Sequence, residues 1–301
     1  MKKWRTILCG FGMAVMLVAC GGNEGDVQIV EEESITQAPQ TEEENEESKE
    51  DEASGDVQLP EEPAGEEPGA ASDEKPAVVT IETEKQEYTE GEIVIMTSSF
   101  DRVTVTVEGN EAATQAIMAE FEKGEQSFQE NLAESLEWAK QDMLVSDSGM
   151  SYSENQGYAV ERNDGRILSF SDSFDNFEGG AHGSYMEYGL NFDVETGAVL
   201  TIEDIARDKA AFQEICVQEM LRQCEDLKAQ GLLFDEEILE SVGGLQGIME
   251  SKMEGEEWYF TKEGIRFISN IYEIAPYAAG NFQFNIPYEM INDVLKEEYR
   301  G

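Results

Sequence analysis

A cysteine that follows a short apolar run is the first residue of the chain whose position predicts chemistry. Leu17-Val18-Ala19 precede Cys20, and the apolar run from Ile7 to Val18 follows a basic start. These features are typical of a secretory signal, and a cysteine directly after the cleavage point supplies a thiol for acylation. The run is shorter than the ~20 residues that span a bilayer. We therefore predict a lipoprotein signal peptide over residues 1–19, with acylated Cys20 holding the protein in the bilayer at the extracytoplasmic face of the cell membrane.

His182, the only histidine, is the second candidate for chemistry. One imidazole excludes any site that requires two His ligands and leaves a single candidate imidazole base. Gly179, Gly180 and Gly183 surround His182, and glycines let the backbone turn tightly and approach a ligand. The pattern favours a structural or ligand-binding loop. A cell-wall hydrolase or deacetylase that uses His182 with nearby carboxylates stays open as the alternative.

Other catalytic and metal-binding motifs do not have the required context. The sequence contains no Gly-x-Ser-x-Gly elbow, and its Ser-x-x-Lys, at residues 72–75, falls in an acidic, proline-containing segment. Asn191, Asp193 and Glu195 resemble calcium ligands, but the glycine comes one position late and no terminal Glu completes an EF-hand loop. This segment reads as a hairpin turn. We predict no enzymatic activity, no catalytic residue, no metal and no cofactor.

Acidic residues divide the chain into regions. Residues 20–78 carry 20 Asp and Glu, two Lys and five Pro, a composition that predicts a disordered linker after the lipidated cysteine. Residues 79–301 carry 46 Asp and Glu against 15 Lys and Arg. Such a charge argues against nucleic acid as a partner and favours cationic ligands.

The two remaining cysteines in the predicted folded region are Cys216 and Cys224, eight residues apart in a helical pattern. At 1.5 Å of rise per residue their Cα atoms would be ~12 Å apart, whereas a disulfide needs about 7 Å or less. We therefore predict two buried apolar thiols.

Residues 79–301 alternate β-branched runs with helical patterns, which predicts an α+β fold. The expected architecture contains antiparallel strands, a long helix after the first strands, hairpins and two further helices packed on the sheet. Thr201 and Asp204 form a capping-box pattern before the helix predicted to carry the cysteines. We divide the module into an N-terminal part, 79–200, and a C-terminal part, 201–301. The strand runs are Val79–Ile81, Ile93–Met96, Val103–Val107, Tyr158–Val160, Ile167–Phe170, Met186–Val194, Trp258–Phe260, Ile265–Ile268 and Phe282–Phe284.

Three ordered motifs resemble a known family. They are GGAHGSY at residues 179–185, NFDVETG at 191–197 followed by LTIED at 200–204, and YEIAPYAAG at 272–280. Together they are similar to the extracytoplasmic module of the RsiV anti-sigma factor and to the families of unknown function DUF3298 and DUF4163. The resemblance implies an α+β sensor or binding domain, and it implies recognition of lysozyme in the RsiV branch. Related modules accompany wall-modifying enzymes such as peptidoglycan deacetylases.

The chain departs from the RsiV plan because a lipobox stands where RsiV-like regulators have a sigma-binding segment and a transmembrane helix. We therefore expect ligand capture rather than direct anti-sigma activity, with a lysozyme-like cationic protein or peptidoglycan as partner. The alternatives are the His182-dependent wall enzyme and an accessory subunit of an envelope enzyme. The predicted ligand-binding residues are Gly180, His182, Gly183, Tyr185, Pro276 and Tyr277.

Overall fold

The computed structural model describes residues 75–145 and 149–301. The predicted signal peptide, Cys20 and nearly all of the acidic linker lie outside these residues, so lipidation and tethering stay predictions. None of the helices in the described ranges combines the length and the apolar content needed to cross a membrane.

Five strands form the first sheet, in the spatial order β1-β2-β3-β4-β5. The pairs are antiparallel except β2 with β3, which run parallel. A parallel pair requires a crossover connection, and the long helix α1 supplies it. This arrangement confirms the predicted α+β class and the long helix after the first strands. The elements are β1 (Val78–Glu90), β2 (Ile93–Thr106), α1 (Glu111–Val145), β3 (Tyr152–Asn163), β4 (Ile167–Phe177) and β5 (Ser184–Asp193).

Helix α1 covers one face of this sheet. Its buried side chains recur at helical spacing, and Phe121 packs edge-on against Tyr158 and Phe170 at ring-centroid distances of 5.3 and 5.1 Å. Such T-shaped contacts are favourable because the ring edge is positive and the ring face negative. An N-terminal core thus forms between the helix and the sheet. Its α1 residues include Ile117, Phe121, Phe128 and Leu132.

A second, antiparallel sheet follows, in the order β6-β7-β8. It packs with several helices into a C-terminal hydrophobic core. Five helices flank it in sequence rather than the two that were predicted. The elements are α2 (Ile202–Ile205), α3 (Lys209–Ala229), α4 (Glu236–Ser241), α5 (Gly244–Ser251), β6 (Trp258–Phe260), β7 (Gly264–Ser269), β8 (Phe282–Pro287) and α6 (Tyr288–Ile291).

Helix α3 confirms the prediction for the two cysteines and corrects the prediction for the capping box. Cys216 and Cys224 are free and buried, and burial raises the pKa of Cys224 to about 11. The Thr201 capping box is present, but it opens the short helix α2. Helix α3 starts separately after Asp208, whose side chain accepts a hydrogen bond from the Ala211 amide at 3.1 Å. The chain therefore needs a second N-cap before the cysteine helix.

Strands β4 and β5 connect the two cores. Ile167 belongs to the C-terminal core and its neighbour Leu168 to the N-terminal core, because successive side chains of a strand point to opposite faces. The free edge of β5 is also covered: Glu187 exchanges two hydrogen bonds, at 2.8 and 3.1 Å, with the Asn270 side chain. The Gly189 amide donates to the Glu256 carbonyl at 2.7 Å. The C-terminal part thus completes an edge that the first sheet leaves unpaired.

Candidate functional site

The loop between β4 and β5, residues 178–183, carries the only histidine of the chain and is called the histidine loop below. Gly180 has a φ of 92°, a conformation that glycine adopts without steric cost. Gly183 lies so near the Asn176 carbonyl that a Cβ would overlap it. The loop therefore needs glycine at Gly180 for its backbone conformation and at Gly183 for space. It leaves His182 exposed.

The loop between β7 and β8, residues 270–281, carries the second motif and is called the tyrosine loop. Pro276 precedes a 3₁₀ turn at Tyr277–Ala279, closed by the Ala279 amide donating to the Pro276 carbonyl at 2.9 Å. Tyr272 has a φ of 66°, a value that no other non-glycine residue in the described ranges approaches. Backbone strain of this kind costs about 1–3 kcal/mol and persists only where the surroundings enforce it.

An ion pair with the buried Lys252 holds the conformation around Tyr272. The Glu273 carboxylate accepts hydrogen bonds from the Lys252 ammonium at 2.5 Å, the Asn270 backbone amide at 2.8 Å and the Ser269 hydroxyl at 3.0 Å. The Lys252 side chain is only 2% exposed and also pairs with Glu257 at 3.2 Å. Three donors on one carboxylate fix the backbone on the N-terminal side of Tyr272.

The two loops meet in an exposed group of three aromatic rings, which we call the aromatic cluster: His182, Tyr272 and Tyr277. The rings of His182 and Tyr277 stack with their centroids 3.8 Å apart and their planes at 17°. The Tyr272 hydroxyl lies 3.0 Å from His182 Nε2, and the Tyr272 ring is tilted against the other two at 6.1 and 5.9 Å. Residues 90 positions apart in sequence thus form one surface.

The hydrogen bonds of His182 define where its protons lie. Nδ1 is 2.8 Å from the Gly183 carbonyl, and a carbonyl can only accept, so Nδ1 carries a hydrogen. In the neutral ring Nε2 then accepts from the Tyr272 hydroxyl, whereas in the charged ring it donates to the same oxygen. Both ring nitrogens are occupied, so the imidazole is held in one orientation in either protonation state.

This geometry is suited to contact with a ligand surface. Tyr272 is 51% exposed and Tyr277 is half-buried, so each ring can lose further accessible area on binding. Exposed tyrosines held in one position supply contact area with little loss of conformational entropy. They also offer ring faces to a cation such as a guanidinium.

The structure brings together two of the predicted site residues and adds one that the sequence analysis missed. His182 and Tyr277 are in direct contact, and Gly180, Gly183 and Pro276 shape the two loops. Tyr272 is the first residue of the motif at 272–280 but is not among the predicted ligand-binding residues. The feature that distinguishes Tyr272 is its positive φ, and the amino-acid sequence does not reveal the backbone conformation of a tyrosine.

Tyr185, the remaining predicted residue, occupies a different environment. It stands near the start of β5, in register with Asp175, and is 37% exposed. Burial raises the pKa of Tyr185, and the charge of nearby Glu187 adds to this effect. Glu187 is itself buried and accepts from the Tyr259 hydroxyl at 2.8 Å and the Gln283 amide at 2.9 Å. Tyr185 therefore belongs to a polar network that joins β5 to the second sheet.

The described residues also bear on metal binding and on catalysis by His182. Over residues 75–145 and 149–301, no group of three or more His, Cys, Asp or Glu side chains is arranged to hold a metal ion. Within the same ranges the hydrogen-bond partners of the His182 ring are the Gly183 carbonyl and the Tyr272 hydroxyl. A general base is commonly oriented by a carboxylate, and here a tyrosine hydroxyl and a carbonyl hold the imidazole.

Comparison with known proteins identifies one segment of the chain. Residues 203–289 match the family model described as protein of unknown function (DUF3298). A solved member of the DUF3298 family from Bacteroides fragilis NCTC 9343 is 20% identical with a TM-score of 0.50, over 73% of this chain and 93% of that one. A DUF3298 family protein from Pseudomonas aeruginosa PAO1 is 18% identical with a TM-score of 0.48, over 76% and 98%. No curated protein sequence matches the chain.

These comparisons confirm the DUF3298 part of the resemblance. The matched segment contains α3, the second sheet and the tyrosine loop, whereas the histidine loop precedes it. The Bacteroides fragilis structure indicates a shared fold. The RsiV-like assignment and the DUF4163 assignment stay predictions.

Proposed function

We propose that the protein is a non-catalytic, lipid-anchored extracytoplasmic lipoprotein whose folded module binds a cell-wall-associated ligand through the aromatic cluster. The observation that carries this proposal is the contact of His182, Tyr272 and Tyr277 on an exposed surface. The three residues come from two of the motifs that resemble the RsiV module. A folded chain accepts a strained tyrosine more readily at a functional surface than elsewhere.

The charge of the module favours a cationic ligand. Residues 79–301 carry 46 acidic and 15 basic side chains, and complementary charge accelerates association and selects among partners. Arginine and lysine side chains also bind to tyrosine ring faces. A lysozyme-type protein fits both properties, and a peptidoglycan fragment is the second ligand to test.

The N-terminal sequence supports a surface location. Cys20 after its apolar run predicts acylation, and the acidic linker of residues 20–78 would extend by charge repulsion. A binding module on such a linker samples a wide zone outside the membrane. This arrangement suits capture of a ligand that arrives in the cell wall.

Calorimetric titration of the full chain in detergent tests the proposal. The chain is titrated with a lysozyme and separately with a soluble peptidoglycan fragment, at low and at high salt, beside an unrelated protein of equal positive charge. We expect stoichiometric binding of one ligand that survives high salt, and no such binding of the control protein. Binding that salt abolishes would indicate charge attraction alone and would overturn the proposal.

Two variants connect binding to the aromatic cluster. Tyr272→Ala should weaken binding at least ten-fold, about 1.4 kcal/mol, because an exposed tyrosine ring is lost from the contact. Tyr88→Ala removes a half-buried tyrosine outside the cluster, on β1, and should leave affinity unchanged. Equal losses in both variants would exclude the cluster as the binding surface. Turnover of peptidoglycan that disappears in a folded His182→Ala variant would replace the proposal with the enzymatic alternative.

A further inference from the structure

A serine on α1 contacts two carboxyl groups at once. Ser135 Oγ lies 2.5 Å from Glu154 Oε1 and 2.9 Å from Glu178 Oε1. Glu154, on β3, is 1% exposed, and its second oxygen, Oε2, has no hydrogen-bond partner. Glu178 is exposed and is the first residue of the histidine loop. The three side chains therefore connect a buried carboxyl to the surface.

Counting hydrogens favours a proton on one carboxyl of this group. A serine hydroxyl has a single hydrogen, so it can donate to only one of its two neighbours. If both carboxyls were ionised, one of the two oxygen pairs would approach without a hydrogen between them. A proton on Glu154 resolves this, because Glu154 then donates to Ser135 and Ser135 donates to Glu178.

The surroundings place that proton on Glu154 rather than on Glu178. Burial raises the pKa of Glu154 to about 7, and the charges of Glu178 and Asp175 add to the effect against the opposing hydrogen bonds from Ser135 and Asn176. Within the described residues no Lys, Arg or His forms an ion pair with Glu154 or Glu178. A buried carboxyl without a cation is most stable in its neutral form.

The elements around the group add further acidic side chains. Asp175 and Asn176 lie on β4, beside Glu154 of β3. Asp142 of α1 and Tyr152 of β3 interact with each other; burial raises the pKa of Tyr152, and the charges of Asp142 and Glu178 add to this effect. Ionising Glu154 would therefore add a negative charge beside Glu178 and Asp175, against the neutral donors Ser135 and Asn176.

Glu178 joins the Ser135 group to the histidine loop. Next to it, Gly179 has backbone close enough that a Cβ there would touch Tyr152 and Asp142. The first two residues of the loop thus lie against α1 and β3, and the bond from Ser135 to Glu178 fastens them. His182 follows four residues later.

We propose that Glu154 and Glu178 hold one acidic proton between them through Ser135, and that its loss loosens the attachment of the histidine loop to α1. On deprotonation the proton leaves to solvent by way of exposed Glu178. Ser135 then donates to one carboxylate only, and the second carboxylate is repelled. The loop that holds His182 is consequently fastened in mildly acidic medium and freer in alkaline medium.

Carbon-13 detection of the glutamate carboxyls by NMR over pH 4 to 9 tests the first half of the proposal. Glu154 should titrate with a midpoint near pH 7, well above an exposed glutamate at about 4.3. The amides of Gly179 and Gly180 should shift with the same midpoint. An ordinary midpoint for Glu154, or loop amides that do not follow it, would overturn the proposal.

Matched variants isolate the coupling. Glu154→Gln keeps a donor toward Ser135 but cannot ionise, so the loop amides should lose the transition near pH 7. Ser135→Ala should leave a raised midpoint at Glu154 and remove its effect on the loop. Glu161→Gln is the control, because Glu161 of β3 also accepts from one serine, Ser171 at 2.9 Å, and it should change neither titration.

One more control removes the imidazole, since a histidine beside these amides responds to pH on its own. In a His182→Gln background the transition that depends on Glu154 should persist. If the loop transition vanishes in that background while Glu154 still titrates near pH 7, the loop is responding to His182 and the coupling is wrong.

Discussion

Two carboxyl groups stand at the bases of the two loops that build the aromatic cluster, one buried and one partly buried, and their surroundings differ. Glu273 beneath the tyrosine loop has Lys252 as its cation at 2.5 Å. Glu154 beneath the histidine loop has no cation; its neighbours are the Ser135 hydroxyl, also at 2.5 Å, and the Asn176 side-chain amide. An opposite charge in contact favours the ionised form of a carboxyl group, whereas burial without a cation favours the neutral form. One loop is thus fixed, and we propose that the other is conditional on pH.

Removing the cation should have the largest effect. Lys252→Met leaves Glu273 and Glu257 with reduced compensation and should lower the free energy of unfolding by about 4 kcal/mol. Urea denaturation at neutral pH measures this loss. Lys209→Met breaks the exposed pair with Glu203 and should cost less than about 0.5 kcal/mol. Equal losses would show that the burial of the Lys252 pair does not matter.

Replacing Glu154 by the permanently neutral Gln should have the next largest effect on the free energy of unfolding. The size of this effect depends on pH. The folded pKa of about 7 exceeds the ordinary 4.5, so the native state holds a proton that the unfolded chain releases. Stability should therefore fall by about 3 kcal/mol as pH rises from about 4.5 to 7. In Glu154→Gln this component should be absent. The readout is the difference between urea midpoints at pH 5 and pH 8, compared with Glu161→Gln.

Crowding the histidine loop should lower the free energy of unfolding by a smaller amount. In Gly183→Ala the new Cβ would overlap the Asn176 carbonyl, so the backbone must shift, at about 1–3 kcal/mol. Gly91→Ala serves as a comparison because nothing lies within 4 Å of its Cβ position. Gly91 has a positive φ of 63°, whereas Gly183 is not among the glycines with a positive φ. Thermal unfolding therefore compares a loss of space, in Gly183→Ala, with backbone strain, in Gly91→Ala. A smaller loss in Gly183→Ala would contradict the close approach.

The smallest change is expected at Tyr272. Its φ of 66° favours glycine, so Tyr272→Gly should be more stable than Tyr272→Ala by about 1 kcal/mol. Chemical denaturation of the two variants measures the difference directly. Equal stability would mean that the tyrosine loop relaxes when the ring is removed, and that Lys252 and Glu273 do not hold its backbone.

The sequence was sufficient for much of the fold because burial repeats at regular spacing. β-branched runs predicted strands, and the stripe containing Cys216 and Cys224 predicted the buried face of α3. Two of the runs, Ile93–Met96 and Val103–Val107, belong largely to one strand, β2. The polar Thr97-Ser98-Ser99 between them concealed this continuity, although Ser98 and Phe100 are buried.

The site was less predictable, because its residues are distant in sequence. Each motif pointed to its own loop, but no periodicity indicates that His182 meets Tyr272 and Tyr277. The pairing of Ser135 with Glu154 was equally hidden, since 66 acidic residues make any one glutamate inconspicuous. Both contacts depend on how two loops and a helix are placed by the sheet, which is a property of the whole fold.

The Asn270 side chain that covers β5 also bears on how the protein is made. Synthesis proceeds from the N-terminus, so the first sheet can form before Glu256 and Asn270 have left the ribosome. During that interval the backbone groups of Glu187 and Gly189 lack the partners that they have in the folded protein. An unpaired strand edge can then pair with another chain. The nascent protein therefore has a period of vulnerability to aggregation that ends only when residues 256–270, in the last sixth of the chain, have been made.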